Sequence, residues 1–307
     1  MAKISHQRIS QVDLEAFVST ESDFAFEIEV HNKLKSMGAS SFHGGTYEDP
    51  KTGKYREFDI RASFSNDRSN LRLAVECKNI KDYSPLLIQC VPRDPSHAYH
   101  EVVCGFDQDN DESNPYPKSS HSISSAGEKI WQGSSVTIRV SGSESIYKAS
   151  DPVGKSCTQV ARTAHDNTFQ ASDSVIYDKW SQAINSCHDL VDIANSAGRG
   201  LLRGLEYTVV VPVLVVPSGC LWKKEYNHDG SANGITSQAD RVSYYVGAEI
   251  NRDRFAPPFM ATVSHLEVVT IDGINQLIES FAGNDGLFLQ SLPRWYLDQM
   301  VVRRTQT

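Results

Sequence analysis

The stretch "EYTVVVPVLVVPSG" (Glu206–Gly219) constrains the fold more than any other part of the chain. Its apolar residues are mostly β-branched, and they follow one another without the polar alternation of a half-exposed strand. A run of this kind is typical of a strand that other elements cover on both faces. It is too short and too β-branched to predict a helix across a bilayer. The chain is therefore expected to build a sheet with helices packed on both sides.

A helix is predicted near the start of the chain, over residues 22–37, "SDFAFEIEVHNKLKSM". Ser22 or Asp23 is a suitable N-terminal cap, and Gly38 follows the expected end. The helix carries one apolar stripe that consists of Phe26, Val30, Leu34 and Met37. This spacing predicts a helix that packs one face on the sheet.

Strands are expected directly after this helix. A weak first strand is contained in "SSFHGGTYEDP" (40–50), a second in "REFDIRASF" (56–64) and a third in "NLRLAVECKN" (70–79). The polar segment 66–70 between the last two is predicted to be a hairpin turn.

The second half of the chain continues the pattern with further helices and strands. Helices are predicted over about 156–166 and, more clearly, over about 174–197, where Trp180, Ile184, Cys187 and Val191 form an apolar stripe. A strand is expected at "ATVSHLEVVTI" (261–271) and a helix at "DGINQLIESFAG" (272–283), capped by Asp272 and ended by Gly283. The expected fold is α/β, with a mixed central sheet flanked by helices.

Residues 92–155 differ from the rest because they are rich in Ser, Asp, Asn and Pro. We interpret them as an insertion or long surface excursion, with one short strand at "SSVTIRV". The core is then expected over about 22–90 and 174–283, within a single domain that covers 1–307.

Composition narrows the classes of function. The formal net charge is -8 and the six cysteines form no CxxC pair, so neither charge-driven coating of nucleic acid nor a zinc knuckle is expected. The start "MAKISHQRIS" has no apolar signal region, which predicts a cytoplasmic protein without a membrane segment. The acidic charge is compatible with a homodimer or a partner protein that supplies basic surface.

Charged residues inside two of the predicted strands point to a site. Strand parity places Asp59 on one face of its strand, and Glu76 with Lys78 on one face of the next. If these strands pair as a hairpin, the two carboxylates lie side by side, where they repel unless a cation separates them. Oxygen ligands favour a hard divalent ion, Mg²⁺ or Mn²⁺. Lys78 is expected to point at the same place.

Glu27 is a candidate third carboxylate. It borders the stripe of Val30 and Leu34 on the first predicted helix, whereas Glu29 lies on the solvent face. A carboxylate beside a buried stripe is unusual and suits a site residue. The alternative is that these charges are ordinary edge residues, with Glu76 and Lys78 forming a surface ion pair of little energetic value.

These residues resemble the PD-(D/E)xK nuclease superfamily, which has the restriction-endonuclease-like fold. The matching residues are Glu27 in "FEIEVHNKLKSMG", Asp59 in "REFD" and Glu76–Lys78 in "VECKN". Phe58 stands where the family has a proline. By motif the resemblance covers about 22–90, and by the order of elements it covers 174–283. The expected core is thus restriction-endonuclease-like, with a long insertion.

The resemblance implies an Mg²⁺-dependent endonuclease that hydrolyses phosphodiester bonds, in DNA, in restriction or defence. It implies that Asp59, Glu76 and the backbone carbonyl of Cys77 hold the metal. It implies that Glu27 reaches the metal directly or through water, or supports a second ion. It also implies that Lys78 orients or activates the attacking water. The alternative is a catalytically inactive scaffold of the same fold that binds nucleic acid or a partner protein.

Three other motifs compete for a function. "ASDPVGKS" (149–156) is similar to a phosphate loop, although Ala149 stands where a glycine is needed. "DQDNDES" (107–113) is similar to a calcium loop with Glu112 in place of its glycine. "HAYHEVVC" (97–104) offers two histidines and a cysteine for zinc, without an evident fourth ligand.

Overall fold

The computed structural model describes residues 6–49, 52–66, 69–106, 122–123, 129–130, 134–142, 145–172, 174–196, 206–252 and 259–282. Within these ranges it contains four α-helices and one short 3₁₀ turn. The helices are α1 (Gln11–Thr20), α2 (Phe24–Ser36), α3 (Ser174–Ser196) and α4 (Ile274–Ala282), and the 3₁₀ turn is Pro95–His97.

The same ranges contain fifteen strands. They are β1 (Ser40–Glu48), β2 (Tyr55–Asn66), β3 (Ser69–Cys77), β4 (Leu86–Pro92), β5 (Tyr99–Phe106), β6 (Ser122–Ile123), β7 (Lys129–Ile130), β8 (Ser134–Ser141), β9 (Pro152–Arg162), β10 (Phe169–Ser172), β11 (Glu206–Val216), β12 (Leu221–Tyr226), β13 (Ala232–Gln238), β14 (Arg241–Arg252) and β15 (Phe259–Thr270).

One large mixed sheet organises the described residues, and β6 pairs separately with β7. The main path through this sheet is β1-β2-β3-β11-β15-β14-β9-β4-β12-β13, with β10 on β9 and with β5 joining β11 to β8. Strand β11 runs parallel to both β3 and β15, while β1, β2 and β3 are antiparallel neighbours. The expected α/β class with a mixed sheet and flanking helices is confirmed.

Helix α2 forms where the apolar stripe predicts it. Phe26, Val30 and Leu34 are buried against the sheet, and Met37 packs at the margin of the same core. Burying each of these side chains contributes about 1.5–3 kcal/mol. Asp23 is the N-cap residue, but its side chain makes no cap hydrogen bond. Its carboxylate has other partners, at the end of β3.

The predicted hairpin is confirmed. Strand β2 pairs antiparallel with β3, in a register that places Ile60 opposite Val75 and Phe64 opposite Leu71. These apolar residues face α2. Their polar neighbours along both strands therefore face the opposite side of the sheet, because side chains alternate.

Strand β11 is covered on both faces, as its continuous apolar run predicts. Val211 and Val213 lie in the core that contains α2 and α4. Leu214 and Val216 lie in a core on the other face, which contains the first half of α3. The sheet is thus sandwiched between α2 and α4 on one side and α3 on the other.

The elements predicted around β11 are also present. Helix α3 buries Cys187 and Val191 and half-buries Trp180 and Ile184. Strand β15 and helix α4 occupy the predicted positions, although Gly283, the expected end signal, lies outside the described residues.

The helix predicted over 156–166 is wrong, because these residues mostly belong to strand β9. Strand β9 pairs with β4 on one side and with β10 on the other. Backbone pairing along two edges outweighs a weak helical spacing, and the β-branched Val153, Thr158 and Val160 suit a strand.

Part of the segment 92–155 is built into the sheet. The strand predicted at "SSVTIRV" is confirmed as β8, which pairs along its length with β5. Val102 of β5 and Ile138 and Val140 of β8 lie in the same core as α2. The sequence did not predict β5, although its apolar residues are buried.

Candidate metal centre

The candidate site begins with two carboxylates at the open end of the β2–β3 hairpin. The register that pairs Ile60 with Val75 places Asp59 opposite Glu76 when it is continued by one residue. Both side chains lie on the α3 side of the sheet, because a single ammonium group of that helix contacts both. Lys179 Nζ is 2.8 Å from Asp59 Oδ2 and 3.5 Å from Glu76 Oε2.

Asp59 is held in place by the backbone of the neighbouring strand. The N–H of Cys77 donates to Asp59 Oδ2 at 2.8 Å, and this oxygen also accepts from Lys179. The Cys77 side chain is fully buried on the α2 side, so only its backbone is directed to the site. A charge-assisted bond from a backbone N–H fixes the carboxylate without ordering another side chain.

Glu76 is the most deeply buried member of the site, with 1% of its surface exposed. Its Oε1 atom has no hydrogen-bond partner among the described residues. Burial raises the pKa of Glu76 to about 9, with the charge of Asp59 acting in the same direction and that of Lys179 opposing both. A buried carboxylate with an unpartnered oxygen is costly unless it binds a proton or a cation.

Lys179 completes this group of charges, and the sequence reasoning missed it. Burial lowers the pKa of Lys179, but the charges of Asp59 and Glu76 outweigh burial and raise it above its ordinary value. The available signal was its position beside the apolar stripe of α3, directly before Trp180. Glu27 lies beside the apolar stripe of α2 in the same way.

Lys78 follows Glu76 by two residues, but its ammonium group has a different partner. Lys78 Nζ is 2.9 Å from Asp23 Oδ2, and the other oxygen of Asp23 accepts from the N–H of Asn79. Asp23 therefore joins the start of α2 to the end of β3. Its charge also contributes to the raised pKa of Lys179, although burial and the two nearer carboxylates have larger effects.

Glu27 lies at the margin of the buried face of α2, and Glu29 is exposed, as the helix phase predicts. The carboxylate of Glu27 contacts His43 Nε2 of β1 at 2.9 Å. Burial raises the pKa of the Cys77 thiol, and the charges of Asp59 and Glu27 add to this effect. Glu27 is thus within electrostatic range of Cys77, while its direct contact is with His43.

The donor set suits a hard divalent cation that keeps part of its hydration shell. Among the described residues, no group of three or more His, Cys, Asp or Glu side chains is arranged to hold a metal ion. Two carboxylates are nevertheless available in Asp59 and Glu76, and Mg²⁺ is commonly held by one or two carboxylates and several waters. The unpartnered Oε1 of Glu76 is the atom that such an ion would satisfy.

The structure does not support a ligand site at either of the two competing motifs that lie in the described residues. Lys155 and Ser156 of the phosphate-loop candidate lie in strand β9, so the required turn from a loop into a helix is missing. The calcium-loop candidate (107–113) lies outside the described residues. In the zinc candidate, His100 Nδ1 contacts the Ser145 hydroxyl at 3.3 Å, and the ring of His97 stacks on Tyr245.

Comparisons with known proteins identify no relative of this chain. No protein-family model matches the chain, and neither the curated proteins nor the solved structures gave a significant match. None of the helices in the described ranges has the length and apolar character needed to span a membrane.

Proposed function

We propose that this protein is a divalent-metal-dependent endonuclease that hydrolyses phosphodiester bonds in DNA. One observation carries the proposal: Asp59 and the buried Glu76 converge on a single cationic group, and Glu76 Oε1 has no hydrogen-bond partner in the part of the chain that the structure describes. Carboxylates arranged in this way form a cation site, and here the Lys179 ammonium lies between them.

The order of elements supports a restriction-endonuclease-like core within this proposal. Helix α2 is followed by the antiparallel strands β1, β2 and β3, then by strands β4 to β10, then by α3, and then by β11, which is parallel to β3. The resemblance to PD-(D/E)xK nucleases implies a helix and further strands after the lysine of the motif. In such a core, Glu27, Asp59, Glu76 and Lys78 would take the motif positions.

Each side chain has a distinct role in the proposed reaction. Asp59 and Glu76 would hold the cation, with the Cys77 N–H fixing the orientation of Asp59. A divalent cation there would supply Lewis-acid stabilisation of the charge that develops on the phosphate. The ammonium groups of Lys78 and Lys179 would bind phosphate oxygens or orient the attacking water once the substrate is present. Glu27 would support the site from α2.

A second candidate function is a catalytically inactive scaffold that binds nucleic acid or a partner protein. The observation that favours it is the ion pair of Lys179 with Asp59 and Glu76, which neutralises charge without any metal. We also propose that the nuclease acts in restriction or defence. We propose that a homodimer or a partner protein contributes basic surface to this acidic chain.

Metal-dependent cleavage of supercoiled plasmid separates the two functions. The wild-type chain should nick or linearise the plasmid in Mg²⁺ or Mn²⁺ and lose this activity in EDTA. Asp59→Asn should lose metal binding and cleavage together, because it removes one of the two charged ligands. Asp229→Asn is the matched control, since Asp229 is exposed in the turn between β12 and β13, at the other end of the sheet path.

Absence of cleavage by the wild-type chain in either metal would contradict the nuclease proposal. Metal-dependent cleavage that persists undiminished in Asp59→Asn would show that the activity resides elsewhere.

A further inference from the structure

A cleft of about 470 Å³ lies on the α3 side of the sheet, between the first half of α3 and strands β9 and β14. Three aromatic residues line it, Trp180 and Tyr177 from α3 and Tyr244 from β14. The other side is formed by β9, which contributes Lys155, Ser156 and Thr158. The volume falls in the range of about 300–1,000 Å³ that is typical of small-molecule pockets.

The aromatic rings are arranged in edge-to-face pairs. The Trp180 ring centroid is 4.7 Å from that of Tyr244 at an interplanar angle of 65°, and 5.5 Å from that of Tyr177 at 63°. All three rings line the cleft, so a planar ligand inside it contacts aromatic surface. Tyr177 is largely exposed, whereas Trp180 and Tyr244 are half-buried and held by packing.

The β9 side of the cleft is polar, while the ammonium group of Lys155 lies beside Tyr245, which does not line the cleft. Ser156 and Thr158 contribute hydroxyl groups that can donate and accept hydrogen bonds. The hydroxyl of Tyr244 donates to the carbonyl of Lys155 at 2.7 Å, which ties the aromatic side of the cleft to this strand. Lys155 Nζ lies 5.0 Å from the ring centroid of Tyr245.

The cleft and the candidate metal centre lie on the two flanks of α3. Lys179 contacts Asp59 and Glu76, and the next residue, Trp180, packs on Tyr244 of β14. Strands β11 and β15 lie between β3 and β14, and neighbouring strands are about 4.8 Å apart, so about 14 Å separates β3 from β14. A strand whose phosphate reaches Lys179 can therefore place a base about four nucleotides away on Trp180, at about 3.4 Å per stacked nucleotide.

We propose that the cleft binds an unpaired nucleobase of the strand held at the Asp59–Glu76 site, so that the substrate is DNA with a single-stranded segment. This inference rests on the proposed nuclease function and adds its substrate class. Base stacking on aromatic rings is tolerant of sequence and requires an exposed base face. A fully paired duplex hides these faces, and the cleft would not engage it.

Binding measured by fluorescence anisotropy in EDTA tests the proposal without cleavage. The probes are a single-stranded oligonucleotide of about 12 nucleotides, an abasic oligomer of equal length, the matching blunt duplex and a free deoxynucleoside monophosphate. The chains are the wild type, Trp180→Ala, the milder Trp180→Phe and the control Phe42→Ala. Phe42 is an exposed aromatic residue on β1, at the opposite edge of the sheet.

The wild type should bind the single strand more tightly than the abasic oligomer or the duplex. Trp180→Ala should weaken binding of the single strand by about 5- to 150-fold, the effect of losing one stacked base. Trp180→Phe should fall between, and Phe42→Ala should match the wild type. Equal binding of the abasic oligomer, unchanged binding by Trp180→Ala, or no binding of the single strand by the wild type would overturn the proposal. Trp180-dependent binding of the free mononucleotide alone would also overturn it, because the strand would then not be the ligand.

Photocrosslinking provides a readout that needs no variant. A single strand that carries 5-iododeoxyuridine should crosslink to Trp180, Tyr177 or Tyr244 in the wild-type chain, as mapped by mass spectrometry. Crosslinks confined to peptides outside the cleft would overturn the proposal.

The outcomes also separate this inference from the nuclease function. If the wild type cleaves DNA in the presence of metal but its binding of the single strand does not depend on Trp180, this inference alone is refuted. Trp180-dependent binding without any cleavage would refute the nuclease function and leave the base site.

Discussion

Lys179 and Asp59 are 120 residues apart in the chain, yet the ammonium nitrogen lies 2.8 Å from the carboxylate oxygen. The same nitrogen is 3.5 Å from Glu76 Oε2, so one ammonium group of α3 contacts two carboxyl groups of the hairpin. If a divalent cation binds these carboxylates, it must compete with Lys179 for them. This competition makes Lys179 the most informative position to change.

Lys179→Met should increase the affinity for Mn²⁺ on the order of tenfold, because it removes a competing positive charge at contact distance. Cleavage should nevertheless decrease if Lys179 binds the phosphate in the transition state. Titration of Mn²⁺ by calorimetry, alongside a nicking assay, measures both effects. Lys223→Met is the control, since Lys223 forms an ion pair with Glu225 on β12. Weaker Mn²⁺ binding by Lys179→Met would mean that the lysine supports the metal site.

The stability of the metal-free protein should depend on pH through Glu76. Burial raises its pKa from 4.5 to about 9, so the folded state binds one proton more than the unfolded chain between these values. The free energy of unfolding should therefore fall as pH rises through this window, by up to about 1.4 kcal/mol per pH unit. The stabilisation is complete below the ordinary glutamate pKa and lost above the raised value.

Glu76→Gln should remove this dependence and be the more stable protein at the alkaline end of the window. Urea denaturation in EDTA at both ends of the window measures the effect. Glu57→Gln is the control on the same hairpin, because Glu57 is exposed on β2. A wild-type protein whose stability is unchanged across the window would show that Glu76 remains ionised when folded.

Lys78→Ala should lower the cleavage rate by about a hundredfold or more, the scale of losing one well-placed electrostatic group. Metal affinity should be retained, since an ammonium group is not a ligand. Because Lys78 contacts Asp23, Asp23→Asn should free the lysine and loosen the junction of α2 with β3. Single-turnover cleavage and a Mn²⁺ titration of both variants separate these roles. Unaltered cleavage by Lys78→Ala would reduce Lys78 to a structural partner of Asp23.

Glu27→Ala should weaken cleavage, whereas Glu29→Ala should leave it nearly unchanged. Glu27 contacts His43 at the margin of the buried face, and Glu29 is exposed on the other side of α2. Rates at saturating Mg²⁺, compared with those of His43→Ala, show whether Glu27 acts through this ion pair. The reverse ranking of the two glutamates would exclude a role for the inner face of α2.

The sequence of one short segment was sufficient to predict that Asp59 and Glu76 lie side by side. Asp59 and Glu76 lie on strands joined by a short turn, and the alternation of buried residues determines their common face. Helix α2 was predictable for the same reason, since its stripe is contained in one short segment.

The parts that could not be predicted depend on residues far apart in sequence. Lys179 reaches Glu76 across 103 residues, and only the packing of α3 on the sheet brings the two together. Strand β9 resembled a helix because its partners β4 and β10 were not recognised from the sequence. The aromatic cleft likewise combines Trp180 with Tyr244 of a distant strand.

The parallel pairing of β11 with β3 has a consequence for how the protein is made. The two strands are joined only through the long chain segment that contains α3, and closing long segments slows folding. A nascent chain that has exposed only β2 and β3 carries Asp59 and Glu76 without Lys179, and β3 still lacks β11. The charge-paired site therefore forms only after most of the chain has left the ribosome, and a product truncated before α3 cannot assemble it.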